Sequence, residues 1–498
     1  MDVVLALDLG TGSVRACLVS CEGKVLARGQ RRLHSRAPAG IPTGREYDER
    51  ELREAIAASV TDARAAARAG TNIAAVTVAC MRPACAFLDS AGSPLYLGAN
   101  RDARGFMESM DLMRHHRDLL YRVTGQLPPI LAWSARIAWF RANRPEILDA
   151  TSKVTGLEGW VLSLFGAEPA LDHSSASGTG LYDVRAGGWS EELLDVVGLK
   201  ESRLSPVVQT GASLGEARGE FSRSLSLEGA LVCAGAADSH AAMAGTGGWE
   251  PGDTAIVAGT TMPVLRLVSE PGPTSPRLWA TRYVREGLGV LEANCGESGF
   301  AWEWLARALE IEVDELEGLA AKAPPAGVFA HLGTAPQDFS DLVLVRNGGF
   351  FFPLPPSMFG VERTGMARAA IESAAWAAAE AIAWLDADAP GDSLRVTGGM
   401  TRSRLWLACL ASALGRPLLV AQEDAASVGA AAFAAAGAGL VGDAHEVVRA
   451  AAKLGWEISA DASLVDAMRG GLARWREVVA GFEQGAARVS NFIGGAIA

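Results

Sequence analysis

The chain has 498 residues, 49% hydrophobic and 20% charged, a globular composition too long for one core and suited to two or three domains. Its net charge of -12 argues against a nucleic-acid binder, which needs clustered Lys and Arg to neutralise phosphates. Seven cysteines, at 17, 21, 80, 85, 233, 295 and 409, fall mostly in apolar runs without C-x-x-C pairs, which favours buried free thiols in a reducing cytoplasm over zinc or disulfides.

Asp2 and Asp8 interrupt the amino terminus and no basic run precedes them, so no signal peptide is expected. Val3 to Asp8, Ser13 to Val19 and Lys24 to Arg32 read as three strands, with Cys21-Glu22-Gly23 as the second turn. At the first turn stand Asp8, Gly10, Thr11, Gly12 and Ser13. Glycines there permit unusual backbone angles and remove side chains that would keep an anion away, so amides and hydroxyls can bind phosphate while Asp8 holds hydrated magnesium. A dinucleotide fingerprint fails because Arg15 takes its third glycine position, and a Walker A loop fails because Gly23-Lys24 is followed by Val25. An ordinary tight hairpin with a chance aspartate remains the alternative.

Asp48 caps a helix whose Leu52, Ile56 and Val60 share one face until Gly70, and Ala74 to Ala79 returns as a strand parallel to the sheet, the start of a ribonuclease H-like α/β unit. Met81-Arg82-Pro83 follows that strand. The charged stretch Asn100-Arg101-Asp102-Ala103-Arg104 reads by itself as a solvated loop. Farther on, Cys233 to Asp238 is an apolar strand delivering a carboxylate, which also suits a cap for a helix starting at Ser239.

Gly248 to Pro251 marks a connector, dividing the chain into domains 1–248 and 249–498. Beyond it, Thr254 to Ala258, the turn Gly259-Thr260-Thr261 and Pro263 to Val268 repeat the opening strand-turn-strand unit. Ser393 to Val396 is a strand, Gly398-Gly399-Met400 a turn, and Arg404 to Leu414 a helix ended by Gly415. Ala425 to Gly442, uncharged but dominated by Ala and Gly, reads as a tightly packed helix rather than a membrane span. Trp302, Trp304 and Trp376 lie on Ala-rich helices and are expected in the core.

From about residue 3 to 440 these motifs resemble a carbohydrate kinase of the FGGY family, in the actin, sugar kinase and Hsp70 superfamily. Leu7 to Ser13 is similar to the first phosphate motif, Gly259-Thr260-Thr261 to the second, and Val396 to Met400 with Ser403 to the adenosine motif. Gln422 to Ala436 follows the pattern Glu-x-x-x-x-Gly-Ala-Ala. The resemblance implies an α/β fold of two ribonuclease H-like (actin-like ATPase) domains flanking a central cleft, the first binding sugar and the second nucleotide. It implies Asp238 as general base, Asp8 and Asp238 toward magnesium, and Gly10, Thr11, Gly12, Ser13, Arg15, Gly259, Thr260 and Thr261 around phosphates. It places Gly398, Gly399, Met400 and Ser403 at adenosine. Arg82, Asp102, Arg104 and Asp238 fall at the sugar, Asp102 binding its hydroxyls and Arg104 supporting the site. Asp172 and Ser177-Gly178-Thr179 match a further segment that lines the cleft. Asn100 departs from the family's tryptophan, so a stacking ring is missing or supplied by Trp133.

The implied activity is ATP- and magnesium-dependent phosphorylation of a small sugar or polyol, first a pentulose such as xylulose, with other ketoses, tetritols or glycerol-like polyols as alternatives. A nucleotide-gated sensor without transfer and a kinase for acetate or another carboxylate are the competing readings. Neither nucleic acid nor membrane is expected as a partner, and a homodimer is left open.

Overall fold

The opening strands follow the expected order. In β1 (Asp2–Leu9) every residue from Val3 to Leu9 is buried, as suits a central strand covered on both faces. β2 (Ser13–Ser20) pairs antiparallel with it, and β3 (Val25–Arg32) pairs with β2. The helix α1 (Glu49–Ala66) is capped by Asp48, whose carboxylate accepts the Glu51 N–H at 2.9 Å. Leu52, Ile56 and Val60 form its buried face. It ends short of Gly70, because Ala67 already adopts an extended conformation. Gly29 of β3 admits α1 closely, since a Cβ there would collide with the Ser59 carbonyl oxygen. β4 (Asn72–Cys80) then runs parallel to β1, and the sheet order is Ser213–Glu216, Leu231–Cys233, β4, β1, β2, β3.

The computed structural model describes residues 1–338, 347–355 and 361–497, with side chains through Glu483. It divides into two compact units that are not continuous halves of the chain. One comprises Met1–Pro251, Leu267–Leu291 and Gln422–Leu454, the other Gly252–Arg266, Glu292–Ala421 and Gly455–Ala498. The reason the late segment joins the first unit is small-residue packing. The helix Ala425–Gly437 lies so close to the helix Asp238–Gly245 that a Cβ at Gly429 would strike the Ala241 carbonyl and one at Gly245 the Ala425 carbonyl.

In the second unit, Asp253–Val257 pairs antiparallel with Pro263–Val268 and parallel with Ser393–Thr397, followed by Leu418–Val420 and Trp456–Ile458. The long helix Arg363–Asp388 buries Trp376, whose indole donates to the Met468 carbonyl at 2.9 Å. Trp302 is also buried, but Trp304 is 51% exposed and is no core residue. Its neighbour Trp302 takes the inward face of the same helix, Ser298–Ala308, and two positions' rotation turns Trp304 outward. All seven cysteines are free thiols, six buried and Cys21 half-buried. Among the described residues no helix is long and apolar enough to cross a membrane.

Candidate active site

Three parallel strand ends align in the first unit. Leu9 and Ala237 are both in register with Cys80, so Gly10, Met81-Arg82 and Asp238 all emerge at one edge, the carboxyl ends of adjacent strands. In open α/β sheets that edge is where ligands bind. The strand leading to Asp238 is broken, since Leu231–Cys233 and Ala236–Ala237 each pair with β4 and a Cβ at Gly235 would strike the Val78 carbonyl. Asp238 is half-buried and begins the helix Asp238–Gly245. The cap is therefore Ala237, and the reading of Asp238 as cap of a helix from Ser239 is corrected by one residue. Its Oδ1 accepts the Ser239 N–H at 2.7 Å. Arg82 Nη2 donates to Ser239 Oγ at 2.9 Å, which ties the guanidinium to the residue that follows Asp238.

Asp8 is nearly enclosed, and Arg15, its partner across the hairpin, lies 3.2 Å away. Burial pushes the Asp8 carboxyl up, Arg15 pulls it down, and Asp424 pushes it up again. Asp424 holds Arg15 from the other side at 3.3 Å. Asp424 also meets Arg28 at 3.4 Å and adopts φ 60°, a left-handed conformation uncommon outside glycine. Sequence reasoning passed over Asp424. The one available signal was its place five residues before Gly429, where the pattern calls for Glu.

At the corner itself, Gly10 N–H donates to the Ser13 carbonyl at 3.0 Å. Gly10 and Gly12 do not have positive φ, so the expectation of unusual backbone angles is corrected. What they supply is space. A Cβ on Gly12 would meet no atom within 4 Å, and one on Gly10 only the Ser13 carbonyl at 3.7 Å. Asn100 Nδ2 donates to Thr11 Oγ1 at 3.0 Å, tying the substitute for the family's tryptophan to this corner.

Asp102 and Arg104 are both buried. Asp102 is 0% exposed, and its oxygens accept from Tyr96 Oη at 2.9 Å, from Arg104 N and Nε at 3.0 Å and from Arg104 Nη2 at 2.8 Å. Burial alone would raise the Asp102 carboxyl, but Arg104, with Arg136 nearby, holds it below the usual carboxylate range. The Arg104 guanidinium is stacked over Tyr96, Trp139 and Phe140, 4.5 to 5.0 Å from their ring centres. The two residues expected at the sugar form a buried ion pair with each other. Trp133 offers no stacking face either, being buried with its indole donating to the Pro83 carbonyl at 3.2 Å.

In the second unit, Gly259 N–H donates to the Thr261 carbonyl at 3.0 Å, and the Thr260 and Thr261 side chains are exposed. The helix Ser298–Ala308 starts against this corner, Gly299 N–H donating to the Thr260 carbonyl at 3.1 Å. Gly398 has φ 103° and lies so close to Ala258 that a Cβ would collide with its carbonyl. Met400 N–H donates to that same carbonyl at 3.1 Å, so the two glycine corners share Ala258 as a pin. Gly399 faces open space. Met400 is buried, and Ser403 caps the helix Arg404–Leu414 by accepting the Trp406 N–H at 3.1 Å.

Residues 3–245 match the N-terminal domain of the FGGY family of carbohydrate kinases and residues 254–438 its C-terminal domain. The chain belongs to that family. This FGGY kinase is 30% identical over 470 residues to an autoinducer-2 kinase of Salmonella choleraesuis (strain SC-B67), a match spanning 88% of this chain and 86% of the relative. Its fold is similar to xylulose kinase from Rhodospirillum rubrum, with a TM-score of 0.83 at 24% identity, covering 97% of this chain and 100% of the other. It is equally similar to Plasmodium falciparum glycerol kinase with ADP, with a TM-score of 0.83 at 18% identity, covering 96% and 98%. The FGGY kinase therefore has the two-domain, actin-like ATPase architecture of α/β type.

Proposed function

We propose that this FGGY kinase transfers the γ-phosphate of ATP to a hydroxyl of autoinducer-2, with Asp238 as general base. The observation that carries the reading is Asp238 standing at a strand end in one row with Gly10 and Arg82, in a chain 30% identical to an autoinducer-2 kinase. Asn100 supports an acceptor that is not stacked on a ring, since its amide is bonded to Thr11 and Trp133 is buried.

The acceptor oxygen attacks the γ-phosphorus, the bond to the β,γ-bridging oxygen breaks, ADP leaves with that electron pair, and the hydroxyl proton passes to the Asp238 carboxylate. Arg82, anchored through Ser239, orients the acceptor. The open corners Gly10, Thr11, Gly12, Ser13 and Gly259, Thr260, Thr261 bind phosphate oxygens through amides and hydroxyls, with Arg15 supporting the first. Gly398, Gly399 and the Met400 backbone leave room for adenine, on a turn that Ser403 steadies through its helix cap. Among the described residues no three His, Cys, Asp or Glu side chains gather to hold a metal alone. Asp8 and Asp238 are the carboxylates that would hold magnesium, an ion that keeps its waters and binds phosphates. When bound, magnesium supplies neutralisation of phosphate charge.

The test is ADP release with autoinducer-2, xylulose, other ketoses, tetritols, glycerol and acetate, with Asp238→Ala as control. Autoinducer-2 is expected to stimulate release most and the control not at all. Stimulation by xylulose alone would return the acceptor to the pentulose class, and stimulation by none would favour the sensor.

A further inference from the structure

We infer that Ser174, held by Asp172, is a positioning residue that fixes the backbone entering Asp238. The inference rests on the reading of Asp238 as general base. Among the described residues Ala236–Ala237 pairs with β4 and with no strand on its other side, so the amide of Ala237 has no second strand there to meet. Ser174 takes that place, its Oγ accepting the Ala237 N–H at 3.0 Å.

The direction of every bond in this group is determined. Asp172 accepts from Ser174 Oγ and from Thr210 Oγ1, each at 2.7 Å on Oδ2, and from the Ser175 N–H at 2.9 Å on Oδ1. An ionised carboxylate only accepts, so the single hydroxyl proton of Ser174 is committed to Asp172 and its lone pairs face Ala237. A hydroxyl free to rotate would hold the amide only part of the time. Asp172 removes that freedom, and the site is sealed, with Asp172 and Ser174 both buried.

On the other side of Asp238, Ser239 is tied by the Arg82 guanidinium. The base is thus clamped by side chains at the residues before and after it, while its own carboxylate remains half-buried. The segment Asp172 to Thr179 therefore does more than line the site.

In-line transfer is sensitive to misplacement of the base, and a shift of about 1 Å costs on the order of a hundredfold in rate. Ser174→Ala is expected to lower kcat roughly tenfold or more, with KM for ATP within about twofold of the parent. Ser59→Ala serves as a control for generic loss of a buried hydroxyl, because Ser59 in α1 donates only to backbone carbonyls, at 2.8 Å to Ala55. Its kcat is expected to match the parent. Should Ser174→Ala not fold, Ser174→Cys keeps the shape with a poor acceptor and reads the same quantity. Full kcat in the folded Ser174 variant, or equal losses in the Ser174 and Ser59 variants, would overturn the inference while leaving the base intact, provided Asp238→Ala is inactive. An active Asp238→Ala would instead overturn the reading on which it rests.

Discussion

Arg15 and Asp424, 409 positions apart in sequence, meet at 3.3 Å beside Asp8. The pair explains a strained residue. Asp424 sits at φ 60°, and in that conformation its carboxylate reaches Arg15 and Arg28, so local strain is offset by two ion pairs. Asn tolerates this backbone region and Ala does not. Asp424→Asn should therefore remove the charge alone, raising KM for ATP several-fold with a small loss of melting temperature. Asp424→Ala should add a further ~1 kcal/mol of instability from strain. Equal melting temperatures for the two variants would show that the conformation costs nothing.

Gly12 separates a folding role from a binding role. A Cβ there meets nothing within 4 Å and the backbone is not left-handed, so Gly12→Ala should leave stability unchanged or raise it by ~0.5 kcal/mol. The added methyl occupies space at the phosphate corner, and KM for ATP should rise tenfold or more. Gly29→Ala provides the contrast, because its Cβ strikes the Ser59 carbonyl and the loss should be one of folding. Unchanged ATP affinity in the Gly12 variant would remove this corner from the nucleotide site.

The first sheet was legible because its signals are local. Continuous apolar runs, Gly23 at the second turn and the Asp48 cap lie within a few residues of what they specify. The ends of α1 and of the compact units were less legible, since they depend on which distant residues pack together. Gly429 against Ala241 is such a contact, and it assigns a late helix to the first unit. The same limit hid the character of Asp102 and Arg104. A charged loop and a buried ion pair look alike in sequence, and what distinguishes them here is the covering by Tyr96, Trp139 and Phe140. Asp424 was obscured for a similar reason, its partner lying at the other end of the chain.

That burial makes Asp102 a test of fold rather than of substrate binding. Asp102→Ala leaves the buried Arg104 guanidinium with Glu46, a half-buried residue, as its remaining ion-pair partner, and breaking a buried pair typically costs 3–5 kcal/mol, about 3 kcal/mol here. Urea unfolding should show a lower midpoint, with soluble yield falling. A variant as stable as the parent with only KM for the acceptor raised would restore the pair to the sugar site.

Glu158 should give the kinase a pH-dependent stability. Its side chain folds back over Gly156 into the interior, and burial pushes the carboxyl up to about 7 from 4.5, against hydrogen bonds that pull it down, with the Asp172 carboxylate adding to the rise. The folded state thus binds this proton more tightly than the unfolded chain does. The contribution is fully present below pH 4.5 and is lost as pH rises through about 7, on the order of 3 kcal/mol in all. Glu158→Gln stays neutral throughout, so the variant should melt close to the parent at pH 5 and several degrees above it at pH 8. Other titrating groups cancel in the difference between the two proteins. Parallel melting curves across that range would mean that Glu158 is ionised in the fold at both ends, and that the interior around Asp172 carries two negative charges instead of one.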